Sequence, residues 1–293
     1  MKKQRQPETQ SGKTAKPKKR KPMSTGSLPS LRSMRDLLAD FGMLGSRRMS
    51  ATEEAQLLMY EAWDASTTKQ RIAMARQALA ISPRCADAYV LLAEEFARSR
   101  DESLELYRQG VEAGERTLGK KRFQAYTGCF WGVLETRPYM RARAGLAQTL
   151  WSVGRHDEAI EHYWAMLRLN PNDNQGIRDL LMPCLIETQR DEEAEKLFRQ
   201  YKDDGMAVWM YSRALLDFRK HGDSPVANRA LEAAIKENRF IPPYLLGRKK
   251  LPRRLPGHYG YGDVNEAVLY AFGNQRAWQA MPGAMEWLGT RTA

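Results

Sequence analysis

The sequence predicts an all-α solenoid, a stack of helical hairpins carrying one irregular insert and a C-terminal cap. Three observations predict it. Apolar residues recur at spacings of three and four from about Thr52 onward, the period of a helix with one buried face. The same pattern returns every 34–36 residues, as expected of stacked repeats. Turns and prolines cut the chain at hairpin length, as at Gly154-Arg155 and Asn170-Pro171.

Residues 1–30 are rich in Lys, Pro, Ser, Thr and Gln and bury too little apolar surface to offset the entropy of ordering, which predicts a disordered basic tail. Residues 31–50 read as a linker with a short helix over Leu31–Phe41, ended by Gly42 and Gly45. The repeat domain is expected over 51–238. Its first helices carry Leu57, Leu58, Ala75, Ala78 and Leu79, and Pro83 ends the second because its ring cannot continue the hydrogen-bond ladder. Tyr89, Leu92, Ala93 and Phe96 open the next hairpin.

The clearest hairpin is Tyr139–Pro171. Ala144, Ala147, Leu150 and Trp151 share one face of its first helix. Ala159, Ile160, Tyr163 and Leu167 share one face of its second. Ala159 is matched by Ala194 and Tyr163 by Phe198, both 35 residues on, Leu146 by Leu180 at 34, and Ala194 by Ala230 at 36. A small residue lets two helices approach, and the aromatic one turn later fills the space beside it. Residues 114–137, with Phe130-Trp131-Gly132, read as an insert between repeats. A Pro/Gly-rich strap spans 239–263. Capping helices follow over 264–293, expected near 264–272 and 275–288, with Trp278, Met281 and Trp287 covering the apolar end of the stack.

The net charge of +12 is local. Residues 1–22 hold nine Lys/Arg and one acid, residues 238–262 hold six Lys/Arg and no acid, and the rest of the chain nets −2. Cys85, Cys129 and Cys184 are odd in number and widely spaced, which argues for buried free thiols in a reducing compartment and against a disulfide framework or zinc site. No apolar run reaches the roughly 20 residues of a membrane span, and no apolar core follows the basic N-terminus as a secretory signal requires. The expected localisation is cytoplasmic, or nuclear in a eukaryotic host through the basic run Lys16–Pro22.

The spacing Leu146-Ala147, Leu150, Ala159, Tyr163, Met166, Pro171 resembles the tetratricopeptide repeat (TPR). Arg143 stands where that family usually has Trp, Ala147 where it has Gly, and Met166 where it has Ala. The resemblance covers about 52–112 and 139–238. It implies a scaffold that binds a protein or peptide partner in a groove lined by the first helix of each hairpin. Carried over by position, the groove-facing residues are Arg141, Ala144 and Gln148, then Gln175, Arg178 and Met182. Arg141, Gln148, Gln175 and Arg178 would hydrogen-bond a peptide carboxylate or acidic motif, although the family's Lys/Asn carboxylate clamp is absent. The irregular segments at 114–137 and 241–263, with the turn Asn172–Gly176, are similar to a group of bacterial TPR proteins named by likeness to a suppressor-of-tumorigenicity family.

Two basic segments suggest a second class of function, a nucleic-acid- or ribosome-associated factor. Arg248, Lys249, Lys250, Arg253 and Arg254 alternate with leucines and precede Tyr259 and Tyr261, a pattern suited to an anionic partner. The same segment also reads as a structural strap that lays Leu246, Leu251 and Leu255 on the last hairpin, and both readings can hold together. Pro183, inside a helical pattern, either shapes the groove or sets superhelix curvature. Catalysis has little support. His156 and His162 fall on different helix faces, and HExxH, GxSxG and P-loop motifs are lacking, so neither a cofactor nor a catalytic residue is expected.

Overall fold

The computed structural model describes residues 49–292. The tail over 1–30, the Leu31–Phe41 helix and the basic run at Lys16–Pro22 lie outside them. Among the described residues there are thirteen α-helices and no strand. They form an α-solenoid of five consecutive hairpins.

The first hairpin pairs α1 (Ala51–Asp64) with α2 (Thr68–Ile81). Ser50 and Glu53 close a capping box at its start, satisfying amides that the first turn would otherwise leave unpaired. The second pairs α3 (Ala86–Glu95) with α4 (Arg100–Tyr126), a 27-residue helix kinked at Gly119. The helix therefore continues through what the sequence predicts as irregular insert. Two glycines explain how α4 lies so close to α5 (Arg137–Ser152). A Cβ on Gly114 would stand 2.8 Å from Cβ of Tyr139, and one on Gly145 would stand 2.0 Å from the Tyr107 ring.

Only residues 127–136 remain of the insert, as two 3-10 turns at Phe130–Gly132 and Leu134–Thr136. Phe130 and Thr136 anchor them in the core, while most of their other residues are exposed. Phe130 packs edge-on between Phe123 and Tyr139 at 4.8 and 5.9 Å. The amide of Gly128 donates to the Leu169 carbonyl at 2.8 Å and that of Trp131 to Asn170 Oδ1 at 3.2 Å, tying the turns to the end of α6 (His156–Leu169).

The fourth hairpin is α7 (Ile177–Glu187) with α8 (Asp191–Gln200), and the fifth is α9 (Ala207–His221) with α10 (Pro225–Glu237). Ala159 and Ala194 are fully buried beside Tyr163 and Phe198. The turns also correspond. Gly154 has φ 82° and Gln189, at the same place one repeat later, has φ 57°, so a side chain occupies a left-handed position that glycine takes without strain. Leu146 and Leu180 part company: the first is buried, the second 37% exposed.

After the short α11 (Ile241–Leu245) and the strap comes α12 (Val264–Ala280), then α13 (Ala284–Arg291). The break expected near Gly273 is absent, because an exposed glycine within a helix costs only about 1 kcal/mol. The chain breaks instead at Met281-Pro282-Gly283, where Gly283 has φ 78°. α13 packs on the last hairpin through Trp287, which stacks on Phe218 at 4.5 Å and donates to Asn228 Oδ1 at 2.7 Å. α12 instead lies against α7 and α9, the first helices of the fourth and fifth hairpins. Its Glu266 carboxylate accepts the Ala207 amide at 3.0 Å, meeting the positive end of the α9 dipole, and also accepts from Asn238 and Gly262 at 2.8 Å. At the fourth and fifth hairpins the inner face is thus partly covered by the chain's own helix.

Candidate functional site

The unfilled part of that inner face is an open groove of about 410 Å³, within the usual range for ligand sites. α5 contributes Gln148 and Trp151. α7 contributes Asp179, Leu180, Pro183, Cys184 and Glu187 along one side. Met206 and Val208 close the α9 end, and α12 supplies Leu269, Tyr270 and Phe272 opposite α7, with Tyr259 of the strap at the rim. Three side chains leave unusual apolar area in water here: Phe272 is 61% exposed, Tyr259 47% and Leu180 37%. Scattered apolar residues are ordinary on a surface, but several converging on one concavity mark an interaction site.

Pro183 belongs to this wall. Lacking an N–H, it cannot donate to the Asp179 carbonyl one turn earlier. The Asp179 carboxylate beside it is also under-committed: its Oδ1 is buried without a hydrogen-bond partner, and Arg178 Nε stays 3.9 Å away. Burial pushes the Asp179 carboxyl up to about 6, with Arg178 opposing and Asp204, Asp173 and Glu266 adding to the rise.

The four residues assigned to the groove from sequence divide. Gln148 stands exposed on its wall. Gln175 is half-buried, its Oε1 enclosed without a partner, outside the groove lining. Arg141 turns toward Asp87, 54 residues earlier, clamping its carboxylate through Nε at 2.8 Å and through a second nitrogen. Asp87 is 0% exposed and also accepts from Gln56 at 2.7 Å, while the guanidinium lies 5.1 Å over Trp63. α1, α3 and α5 are thereby cross-linked through one buried carboxylate. Arg178 does the same further along, donating to Asp204 Oδ2 at 2.6 Å and to Asp173 at 3.2 Å, and stacking over Tyr201 at 5.2 Å. Both guanidiniums are struts between repeats. Neither partner was visible in sequence, because nothing local relates Asp87 to Arg141.

The five strap cations are all exposed, and none of them forms an ion pair among the described residues. Arg248 donates to the Thr292 carbonyl at 3.1 Å, and Lys249 lies 5.8 Å over Tyr244. Leu246, Leu251 and Leu255 are half-buried beneath them, and Tyr261 donates to the Gly205 carbonyl at 2.7 Å. The leucines anchor the strap while its charges face solvent.

Of the cysteines, Cys85 and Cys184 are buried and Cys129 is exposed, so the expectation of three buried thiols fails at Cys129, in the turn before Phe130. His162 accepts from Arg143 Nε at 3.2 Å and is held down to about 4 by burial and by that guanidinium. Among the described residues, no helix is long and apolar enough to cross a membrane.

Stacked helix–turn–helix units of 34–36 residues, with alanine–aromatic pairs at the crossings and first helices lining an inner groove, define a TPR-type repeat protein. The family model described as "ST7 protein" matches residues 40–291, and the chain belongs to that family. This agrees with the suppressor-of-tumorigenicity likeness of the irregular segments. Relatives include the "Protein ST7 homolog" of Drosophila pseudoobscura pseudoobscura, 28% identical over 82% of this chain and 49% of that protein. The "Protein ST7 homolog" of Caenorhabditis elegans is 29% identical over 79% and 49%. The "Suppressor of tumorigenicity 7 protein-like" of Homo sapiens is 28% identical over 80% and 45%. The chain thus spans about half the length of the curated relatives it matches. Among solved structures, YrrB, described as a TPR protein with an unusual peptide-binding site, is similar with a TM-score of 0.45 and 16% identity, covering 70% of this chain and 92% of that one.

Proposed function

We propose that the protein is a non-enzymatic scaffold whose inner groove, between α5, α7 and α12, receives a segment of a partner protein. The observation that carries this reading is the convergence of Leu180, Tyr259 and Phe272, all exposed, on one concavity. Covering them removes apolar area from water at about 25 cal/mol per Å². Gln148, on the same wall, offers a donor and an acceptor to a peptide backbone. Arg141 and Arg178 act in this reading as spacers that hold the inner helices apart at a set pitch.

The test is affinity capture with mass spectrometry, comparing the full chain with Leu180→Asp/Phe272→Asp. Both positions are exposed, so the variant should fold. Partners retained by the native chain and lost by the variant are expected; identical partner sets would overturn the reading.

A second reading rests on the strap. Five exposed, unpaired cations at Arg248, Lys249, Lys250, Arg253 and Arg254 favour contact with a polyanion, nucleic acid included. Retention on heparin that is unchanged when all five are replaced by alanine would remove it.

A further inference from the structure

The polar chemistry of the groove opposes that of the chain. The protein carries +12, yet the groove is lined by three acids, Asp179, Glu187 and Glu266, and by no Lys, Arg or His. Glu266 is spent internally on the α9 N-terminus. Glu187 is not spent, and Asp179 is spent only in part, on a long 3.9 Å contact with Arg178 Nε. Asp179 Oδ1 lacks a hydrogen-bond donor, and Glu187 has no hydrogen bond or ion pair among the described residues. Eight residues apart on α7, they stand about 12 Å apart along the helix axis. Leu180, Pro183 and Cys184 lie between them on the same wall, with Phe272 across the groove.

Two other carboxylates show what a hydrogen-bonded cation looks like here. Asp87 has Arg141, and Asp204 has Arg178. Two acids without a hydrogen-bonded cation thus bracket an apolar stretch, and charge complementarity says what answers them.

Resting on the groove reading, we infer that the occupant is a partner segment that places apolar side chains between Lys or Arg residues, the cations pairing with Asp179 and Glu187 and the apolar groups covering Leu180 and Phe272. An acidic segment, the expectation from sequence, is disfavoured here because the arginines it would need are held by Asp87, Asp173 and Asp204. The overall positive charge and the exposed strap attract acidic peptides without specificity, so selection of basic ones has to come from the groove.

A random twelve-residue peptide library displayed on phage, selected on the full chain and in parallel on Leu180→Asp/Phe272→Asp, tests this. Sequences enriched only on the native chain should carry Lys or Arg beside Leu, Met, Phe or Trp. A synthetic peptide of one such sequence should bind at least about tenfold more weakly to Asp179→Asn/Glu187→Gln. Its Lys→Glu counterpart should regain binding on Asp179→Lys/Glu187→Lys, with circular dichroism reporting that each variant is folded. Glu187→Gln alone serves if changes at Asp179 disturb folding. Groove-dependent peptides with neutral or acidic sequences would overturn the inference and leave the groove reading standing. If no peptide distinguishes the native chain from Leu180→Asp/Phe272→Asp, both fall.

Discussion

Replacing Arg141 by methionine keeps much of the side chain's apolar stem and deletes its charge. Asp87 then stays fully enclosed with Gln56 as its remaining side-chain partner. Removing one member of a buried ion pair costs about 3–5 kcal/mol, because the surviving charge is left uncompensated. Arg141 itself is 27% exposed, so water can reach the vacated position, which places the loss near the lower end. Losing the guanidinium over Trp63 adds roughly 0.5 kcal/mol. A loss of about 3 kcal/mol lowers the melting temperature of a body this size by roughly 6–12 °C. Thermal unfolding followed by circular dichroism reads it. Asp87→Asn in the same chain removes the stranded charge, so the double variant should melt well above Arg141→Met. A melting temperature for Arg141→Met within about 2 °C of native, or additive losses in the double variant, would refute the strut.

Asp179→Asn should stabilise the protein at pH 7.5 and have little effect at pH 4. The carboxyl is held up near 6 chiefly by burial. The folded state therefore binds more protons than the unfolded state between about pH 4 and 6, and the native chain loses stability as pH rises through that window. Denaturant midpoints at the two pH values check it; equal effects at both would contradict it. Gln189→Gly relieves a left-handed side-chain position and should gain about 0.5–1 kcal/mol in urea unfolding. Gly145→Ala drives a methyl group into the Tyr107 ring and should cost roughly 1–3 kcal/mol, seen as a lower melting temperature. Alanine at all five strap cations should leave the melting temperature within about 2 °C, since their charges face solvent, while heparin elution moves to lower salt.

The repeats were legible because their signal is local and periodic. Ala159 with Tyr163 and Ala194 with Phe198 sit four apart on single helices, and all four are buried as that spacing implies. The C-terminal helices were less legible. Gly273 reads as a stop, but in α12 it is only a small exposed residue, and the docking of that helix depends on Glu266 reaching Ala207, 59 residues away. The same limit governed the site. Repeat positions put Gln148 on the inner face, where it lines the cavity, but they could not reveal that Asp87 and Asp204 would claim Arg141 and Arg178. Nor could they show that Leu180, the counterpart of buried Leu146, would face the groove. Pairings across tens of residues have no periodic trace, and they decide which inner-face side chains remain free.

Hydrogen exchange on the full chain with a groove-selected peptide bound tests the central claim most directly. Slowed exchange along Ile177–Glu187 and Val264–Ala280, absent in Leu180→Asp/Phe272→Asp, is the predicted result. Protection confined to residues 246–263, or to the outer helices α8 and α10, would contradict it.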